Sequence, residues 1–237
     1  MSDTVIYIEK YLDINGVGCT AAQSGKLAEY VDALLEENRV MNLTAVKTAR
    51  QAALLHIADC AKILPYLRPG SLIDVGTGAG LPAFVVAVFR PDISVTALDS
   101  TGKKCEFIAR TAARLGLSNI SVLCGRAEEL ALRPEYRERF DVSSARAVAE
   151  LRVLCELCLP FVKKGGVFVA MKGPKGEEEA QKARNAVEKL GGKVSAVDSF
   201  SLAGEDDLKR TVIRVDKTGP VPPRYPRRFS QILRCPL

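Results

Sequence analysis

Histidine occurs once in this chain, at His56, and a single imidazole makes little case for a histidine-dependent nucleophilic triad. Long hydrophobic runs are also missing. The apolar stretches, such as Leu81 to Phe89, fall far short of the roughly 20 residues that cross a bilayer. The N-terminus has no charged head followed by an apolar run, so no signal peptide is expected. Seven cysteines follow no regular framework, which suits a reducing cytosol better than a disulfide scaffold. Cys155-x-x-Cys158 has ligand spacing, but it stands alone, without a second pair or a neighbouring histidine. Leu154, Leu157 and Leu159 surround it in a helical stretch, so core thiols are expected there and no metal. No internal repeat or low-complexity segment appears. The expectation is a cytoplasmic chain without membrane contact.

What is present is an ordinary globular composition: 47 % hydrophobic over 237 residues, enough for one sizeable domain and an appendage. The net charge of +6 is unevenly placed. From Lys209 to Leu237 eight basic residues face one acid, Asp216, so this end carries +7 and residues 1–208 carry −1. A basic end on a near-neutral body reads as a footprint for a polyanion; the plainer reading is a solubilising tail.

The stretch from Leu72 to Pro82 organises the rest. Leu72, Ile73 and Val75 read as a short buried strand interrupted by Asp74, and Gly76, Gly78 and Gly80 follow at alternate positions. Glycine lets backbone turn tightly and a ligand approach without a Cβ in the way. Pro82 suits the first turn of the apolar helix that follows. Strand, glycine turn and helix N-terminus make the nucleotide-binding corner of an open α/β sheet. A dinucleotide fingerprint can be forced onto Gly78, Gly80 and Ala83, but started at Gly76 it meets Leu81 where a small residue belongs. A carboxylate at Asp74 would oppose a pyrophosphate and welcome a cofactor bearing an amino group and a sulfonium. S-adenosylmethionine fits that description, and Asp-x-Gly-x-Gly-x-Gly is the string its methyltransferases share. A dinucleotide-dependent oxidoreductase and a non-catalytic binding or regulatory module remain the alternatives.

Ahead of that corner, residues 1–20 show no firm period. A helical face of Leu27, Tyr30, Val31, Leu34 and Leu35 runs from about Lys26, Asn42-Leu43-Thr44 breaks it, and a second helix is expected from about Thr48 to Leu64. Residues 1–65 are therefore expected to be a helical extension, 66–218 an α/β domain, and 219–237 a basic tail packed on or beside it. After the corner, strands expected at 94–98, 120–124, 141–145 and 167–171 alternate with helices, the last of them a charged one over Glu177–Leu190. Two β-rich runs, Lys193–Phe200 and Arg210–Val215, are joined by a loop too short for a helix. The fold class is α/β: a mostly parallel seven-stranded sheet of Rossmann-like, class I methyltransferase type, with a C-terminal antiparallel hairpin.

Ligands in such a sheet sit at the carboxyl ends of the strands. Asp99 ends the second strand, 25 residues beyond Asp74, where a carboxylate takes both ribose hydroxyls; otherwise it is a solvated turn acid. Ala127 and Glu128 follow the third strand and would face the adenine edge, although Glu128 equally suits a helix N-terminus. Arg146 follows the fourth strand, where the methyl acceptor is presented, or else serves as a structural ion-pair partner. For His56, with Asp59 three residues on, a structural contact is the plainer reading.

These residues resemble one family, the small-subunit ribosomal RNA guanine-N7 methyltransferases called RsmG or GidB. The matching strings are Asn42-Leu43-Thr44-Ala45, His56 with Asp59, Asp74 to Pro82, Leu98-Asp99-Ser100, and Arg126-Ala127-Glu128-Glu129. They continue with Arg146-Ala147-Val148-Ala149, Lys172-Gly173 and Tyr225-Pro226-Arg227-Arg228, covering the chain from about residue 27 onward. The resemblance implies S-adenosylmethionine held by Gly76, Leu81, Asp99, Ser100, Thr101, Ala127, Glu128 and Arg146, with Arg146 also a candidate to position the acceptor; Asp74, Gly78 and Gly80 of the glycine corner are expected to join them. It implies small-subunit ribosomal RNA, a ribosomal subunit or an assembly intermediate as partner, and a monomer is expected. Contacts to that RNA are expected from Lys172, Arg224, Tyr225, Arg227, Arg228 and Arg234. In the proline-rich Pro220 to Pro226, an extended backbone would fan arginines toward phosphates and let Tyr225 stack on an unpaired base. The sequence departs from the family at Ala83 (glycine expected), at Cys60 (serine expected), and in a terminus lacking the usual glycine and early proline. Guanine N7 attacks a sulfonium methyl with an in-plane lone pair and no prior loss of a proton, so alignment and water exclusion are needed and a general base is not. In keeping, there is no Asn/Asp-Pro-Pro-aromatic string for an exocyclic amine and no Pro-Cys nucleophile after the fourth strand.

Overall fold

The computed structural model describes residues 2–146, 148–204 and 208–237. Strand β1 (Gly70–Val75) is central because it has parallel neighbours on both sides, β2 (Ile93–Asp99) and β4 (Phe140–Arg146). With β3 (Ile120–Cys124), β5 (Val162–Lys172), β6 (Gly192–Leu202) and β7 (Leu208–Lys217), the described residues form one seven-stranded sheet in the order β3-β2-β1-β4-β5-β7-β6. The first five strands are parallel, and β7 runs antiparallel to both β5 and β6. The expected hairpin is there, with its second strand inserted beside β5 and its first forming the edge. The chain steps outward from β1 through β2 to β3, then crosses back to β4. That reversal opens a crevice at the carboxyl ends of β1 and β4.

Successive strand residues serve opposite faces. Leu72, Val95, Val142 and Val169 join one buried cluster, while Ile73, Leu98, Ala170 and Ile213 join the other. On the first face lie α5 (Ala83–Phe89) and α6 (Gly102–Arg114), the latter through Phe107, Ile108 and Ala112. The second face is covered by α7 (Ala127–Leu130) and α8 (Leu151–Cys158), and the α8 thiols Cys155 and Cys158 are buried in that core. The charged helix expected over Glu177–Leu190 is two short ones, α9 (Gly176–Lys182) and α10 (Arg184–Lys189), parted at Ala183.

The N-terminal residues hold more structure than their pattern suggests. Helix α1 (Asp3–Ile14) buries Ile8, Tyr11 and Leu12, but Ile6 and Ile14 are exposed on its other side and blur the period. Helix α2 (Ala21–Met41) begins five residues before the expected Lys26, at a capping box between Thr20 and Gln23, and ends on Asn42 in the left-handed region at φ 49°. Next comes α3 (Ala49–Ala52), which widens into a π-helical stretch, Ala53–Ala58, before closing as α4 (Asp59–Ala61). Short π segments inside helices often mark functional sites. These helices share the first buried cluster with the sheet: the Tyr30 and Phe84 ring centroids are 4.5 Å apart, and Tyr30 Oη donates to the Ala79 carbonyl at 3.0 Å. No described helix is long and apolar enough to cross a membrane.

The C-terminal segment is extended but held inward. Arg137 donates to the carbonyls of Val221 and Tyr225, both at 2.9 Å, and Glu138 accepts from the Val221 amide. The backbone amide and guanidinium of Arg227 grip Glu156, a fully buried carboxylate of α8, at 2.6–2.8 Å. Tyr225 is buried, with the Arg224 and Arg227 guanidinium carbons 5.1 and 5.8 Å from its ring centroid. The segment ends in α11 (Phe229–Arg234), anchored by buried Ile232. Removing one partner of a buried ion pair strands the other charge. Arg227→Ala should therefore destabilise the protein by on the order of 3 kcal/mol in urea unfolding, while exposed Arg234→Ala leaves stability nearly unchanged. Equal midpoints for the two variants would refute this account of the tail.

Candidate functional site

The corner after β1 is built around Asp74. Its side chain is fully buried beneath the glycine turn: Oδ2 accepts from Thr77 Oγ1 at 2.5 Å and from the Ala83 amide at 3.2 Å, and Oδ1 accepts from Ser144 Oγ at 2.9 Å. Burial pushes this carboxyl up to about 6, against the pull of those three donors and the charge of Arg146. Asp74 was expected to face a cofactor's positive groups. Instead it faces inward, because Thr77 and the Ala83 amide take up one of its oxygens and Ser144 of β4 the other. Gly76, Gly78 and Gly80 all have positive φ, at 71°, 63° and 95°. A Cβ on Gly76 would come 2.8 Å from Val148, and one on Gly80 would collide with Phe84. Gly80 therefore permits packing below the turn, while Gly76 and Gly78 border a cavity of about 440 Å³.

That cavity gathers the ends of three parallel strands. The Gly76 and Thr77 amides donate to the Leu98 carbonyl at 2.9 and 3.0 Å, tying the turn to β2. Asp99, the last residue of β2, accepts from the Gly78 amide at 3.0 Å through Oδ2 and from the Thr101 amide at 2.9 Å through Oδ1. Its carboxylate is thus oriented by backbone from both sides while lining the cavity together with Leu81, Ser100 and Thr101. Ala127 and Glu128, after β3, line the same wall, and the Gly125 amide donates to the Asp99 carbonyl at 3.0 Å. A carboxylate at Asp99, a small apolar residue at Ala127 and an open glycine turn at Gly76 thus border one cavity, and such a set of groups fits S-adenosylmethionine. Among the described residues, no cluster of His, Cys, Asp or Glu is arranged to hold a metal ion.

Arg146 closes the other end. Its Nη1 donates to the Leu55 carbonyl at 3.0 Å and lies 3.4 Å from Asp59 Oδ2, while Asp59 Oδ1 accepts from Arg210 Nε at 3.0 Å. His56, projecting from the π stretch, lies 2.8 Å from Thr44 Oγ1 through Nε2 and 3.4 Å from Arg146 Nη2 through Nδ1. Burial, reinforced by the Arg146 charge, lowers its pKa to about 4, so the ring is neutral at physiological pH. Thr44, His56 and Arg146 also wall a second cavity of about 410 Å³, which adjoins the first and includes Lys172 and Arg210.

The expected RNA contacts divide. Arg224, Arg228 and Arg234 are exposed. Tyr225 and Arg227 are turned inward, so neither the stacking role of Tyr225 nor a phosphate contact from the Arg227 fork is available. Lys172 is bound by the Ala149 carbonyl and Glu179, both at 2.7 Å, and is not a free surface cation either. A buried or half-buried acceptor captures Arg227 and Lys172, and core packing covers Tyr225. Ala147 lies outside the described residues. Sequence reasoning missed Val148, Lys104 and Phe229 as cavity residues and gave Thr44 no role beyond a helix break. Thr44, His56 and Val148 stand within the family-like strings and Phe229 directly follows one, but only the fold brings them to one cavity.

Comparison with known proteins follows the same lines. The family model GidB, described as rRNA small subunit methyltransferase G, matches residues 23–209. Ribosomal RNA small subunit methyltransferase G of Acetivibrio thermocellus is 43 % identical over 94 % of this chain and 92 % of its own length. The protein of that name from Deinococcus radiodurans is 44 % identical over 92 % of this chain and 87 % of its own. Among solved structures, the cyclase SpnF superposes with a TM-score of 0.55 at 18 % identity, over 85 % of this chain and 97 % of that one. A mutant of the 16S rRNA (adenine(1408)-N(1))-methyltransferase from Catenulisporales acidiphilia gives 0.54 at 17 % identity, covering 69 % of this chain and 92 % of that one. At such identities the structural likeness speaks to fold alone.

The environment of His56 yields a direct test. A histidine held near 4 stays unprotonated in the folded chain while the unfolded chain takes up its proton near the ordinary 6.5. The stability from this group is complete above 6.5 and is lost as pH falls toward 4. As the chain's sole histidine, its ring-proton NMR signal should stay fixed between about pH 8 and pH 5.5. A titration midpoint near 6.5 would show an open, solvated ring.

Proposed function

The chain belongs to the rRNA small subunit methyltransferase G family, and from that premise we propose that it methylates N7 of a guanine in small-subunit ribosomal RNA. It is an S-adenosylmethionine-dependent enzyme acting on ribosomal RNA; the atom and base are the finer part of the reading. The observation that carries the cofactor site is Asp99, a carboxylate set by the Gly78 and Thr101 amides at the rim of the glycine turn, where it can accept from both hydroxyls of a ribose.

When bound, S-adenosylmethionine supplies a methyl group on a positively charged sulfur. The residues of the chain then orient, exclude water and manage charge. Asp99 takes the ribose, Gly76 and Gly78 let the backbone come close, and Thr44, His56 and Arg146 stand between the two cavities, where an acceptor base would approach. No strong base is among these three. Arg146 is cationic, Thr44 is a hydroxyl, and His56 is a poor proton acceptor because its pKa is near 4. That suits an N7 acceptor, whose lone pair attacks without deprotonation, better than an exocyclic amine. Arg146, hydrogen-bonded to the Leu55 carbonyl and facing Asp59, is held to position the acceptor. Arg224 and Arg228 supply exposed charge for the RNA backbone.

Purified protein given labelled S-adenosylmethionine and small-subunit RNA should yield 7-methylguanosine on nucleoside mass spectrometry; methyl on another atom, or none on any RNA form, would reject the assignment. Asp99→Ala should cost about 1–3 kcal/mol of cofactor affinity by calorimetry. Arg224→Gln with Arg228→Gln should flatten the salt dependence of RNA binding by about 0.7 per lost contact in log–log slope, with cofactor affinity retained. If the slope is unchanged, the RNA surface lies elsewhere, with Lys47 and Arg50 the next positions to vary.

A further inference from the structure

Phe229 lies outside the α/β sheet, on the first turn of α11, yet it lines the same cavity as Asp99 and Glu128. Its side chain is half-buried and packs against the second core cluster. The guanidinium carbon of Arg126, which directly precedes Ala127 and Glu128, stands 6.0 Å from its centroid. Among the described residues lining this cavity, Phe229 is the only phenylalanine, tyrosine or tryptophan, and His56 sits at the opposite end beside Arg146. Its placement is not left to a loose tail. Two residues earlier Arg227 is locked onto buried Glu156, and three residues later Ile232 is fully buried.

We propose that the C-terminal segment completes the cofactor site, with Phe229 serving as the aromatic face on which the adenine ring of S-adenosylmethionine stacks. The inference rests on reading the cavity as the S-adenosylmethionine site. The order of residues along the cavity sets the register: a ribose at Asp99 leaves its attached base toward Gly125, Arg126 and Ala127, the stretch against which Phe229 stands. A flat, apolar, polarisable ring meets a half-exposed phenyl more favourably than it meets water, and stacking needs no hydrogen-bond partner. The Arg126 guanidinium beside the ring adds a cation–π contact that helps hold Phe229 at this wall of the cavity.

The chain contains no tryptophan, so Phe229→Trp introduces a single indole that can be excited apart from the six tyrosines. Titration of that variant with S-adenosylmethionine should quench its emission, saturating at the affinity measured by calorimetry. Phe229→Ala and Phe229→Leu should each weaken binding by roughly tenfold, while Phe229→Tyr should bind nearly as wild type. Leucine retains apolar volume without a π-face, so its loss separates stacking from packing. Unchanged tryptophan emission despite calorimetric binding, or wild-type affinity in Phe229→Ala, would overturn the proposal. Failure of the wild-type protein to bind S-adenosylmethionine would instead remove the reading of the cavity, and this inference with it.

Discussion

A buried carboxylate with three donors holds the corner on which the rest of this molecule depends. Asp74 ties together the end of β1, the hydroxyl of Thr77 in the turn, the first amide of α5 and the hydroxyl of Ser144 on β4. Burying a carboxylate is costly, and the rise of its pKa to about 6 records that cost. The donors offset it, and they do so only in one backbone path. That path directs the Gly78 amide at Asp99, so the acid below the turn orients the acid above it. Two carboxylates on neighbouring strands thereby have separate places: one holds the turn from below and the other lines the cavity.

The N-terminal helices build the second wall. Tyr30 reaches the Ala79 carbonyl from α2, which pins the turn from the outside. The π-helical stretch carries His56 and delivers Asp59 to Arg146 and Arg210. A regular helix would rotate these side chains differently, since the wider turn inserts extra residues into the repeat. The sheet alone thus forms half a site. The extension supplies Thr44 and His56 at one end of the cavity and α11 supplies Phe229 at the other, while β7 lends Arg210 to the adjoining cavity.

Charge in this protein is divided by burial. The basic end looks uniform in sequence, but Arg227 is spent on Glu156, Lys217 on Glu138 and main-chain carbonyls, and Arg210 on Asp59. Arg224, Arg228 and Arg234 remain toward solvent. Structural arginines hold the segment in place, and exposed ones give it a field that a polyanion feels. The same stretch of chain serves both ends because its alternate groups point in opposite directions.

Local chemistry was legible from residues alone. Strand, glycine turn and helix at Leu72 to Pro82 are set by neighbours in sequence, and so are Asp99, Ala127 with Glu128, and Arg146, each at the end of its own strand. Alternation of strand and helix settled the parallel sheet, because few topologies join such elements. Tertiary structure alone decided which way polar groups face. Nothing near Asp74 in sequence tells that Ser144 will take one of its oxygens, or near Arg227 that Glu156, 71 residues away, will take its guanidinium. It also decided that Thr44, His56, Arg146 and Phe229 border one cavity, since their adjacency arises only when distant surfaces are buried against each other. Burial and pairing are properties of the surfaces that meet, and a one-dimensional pattern records only the propensity of each surface to be covered.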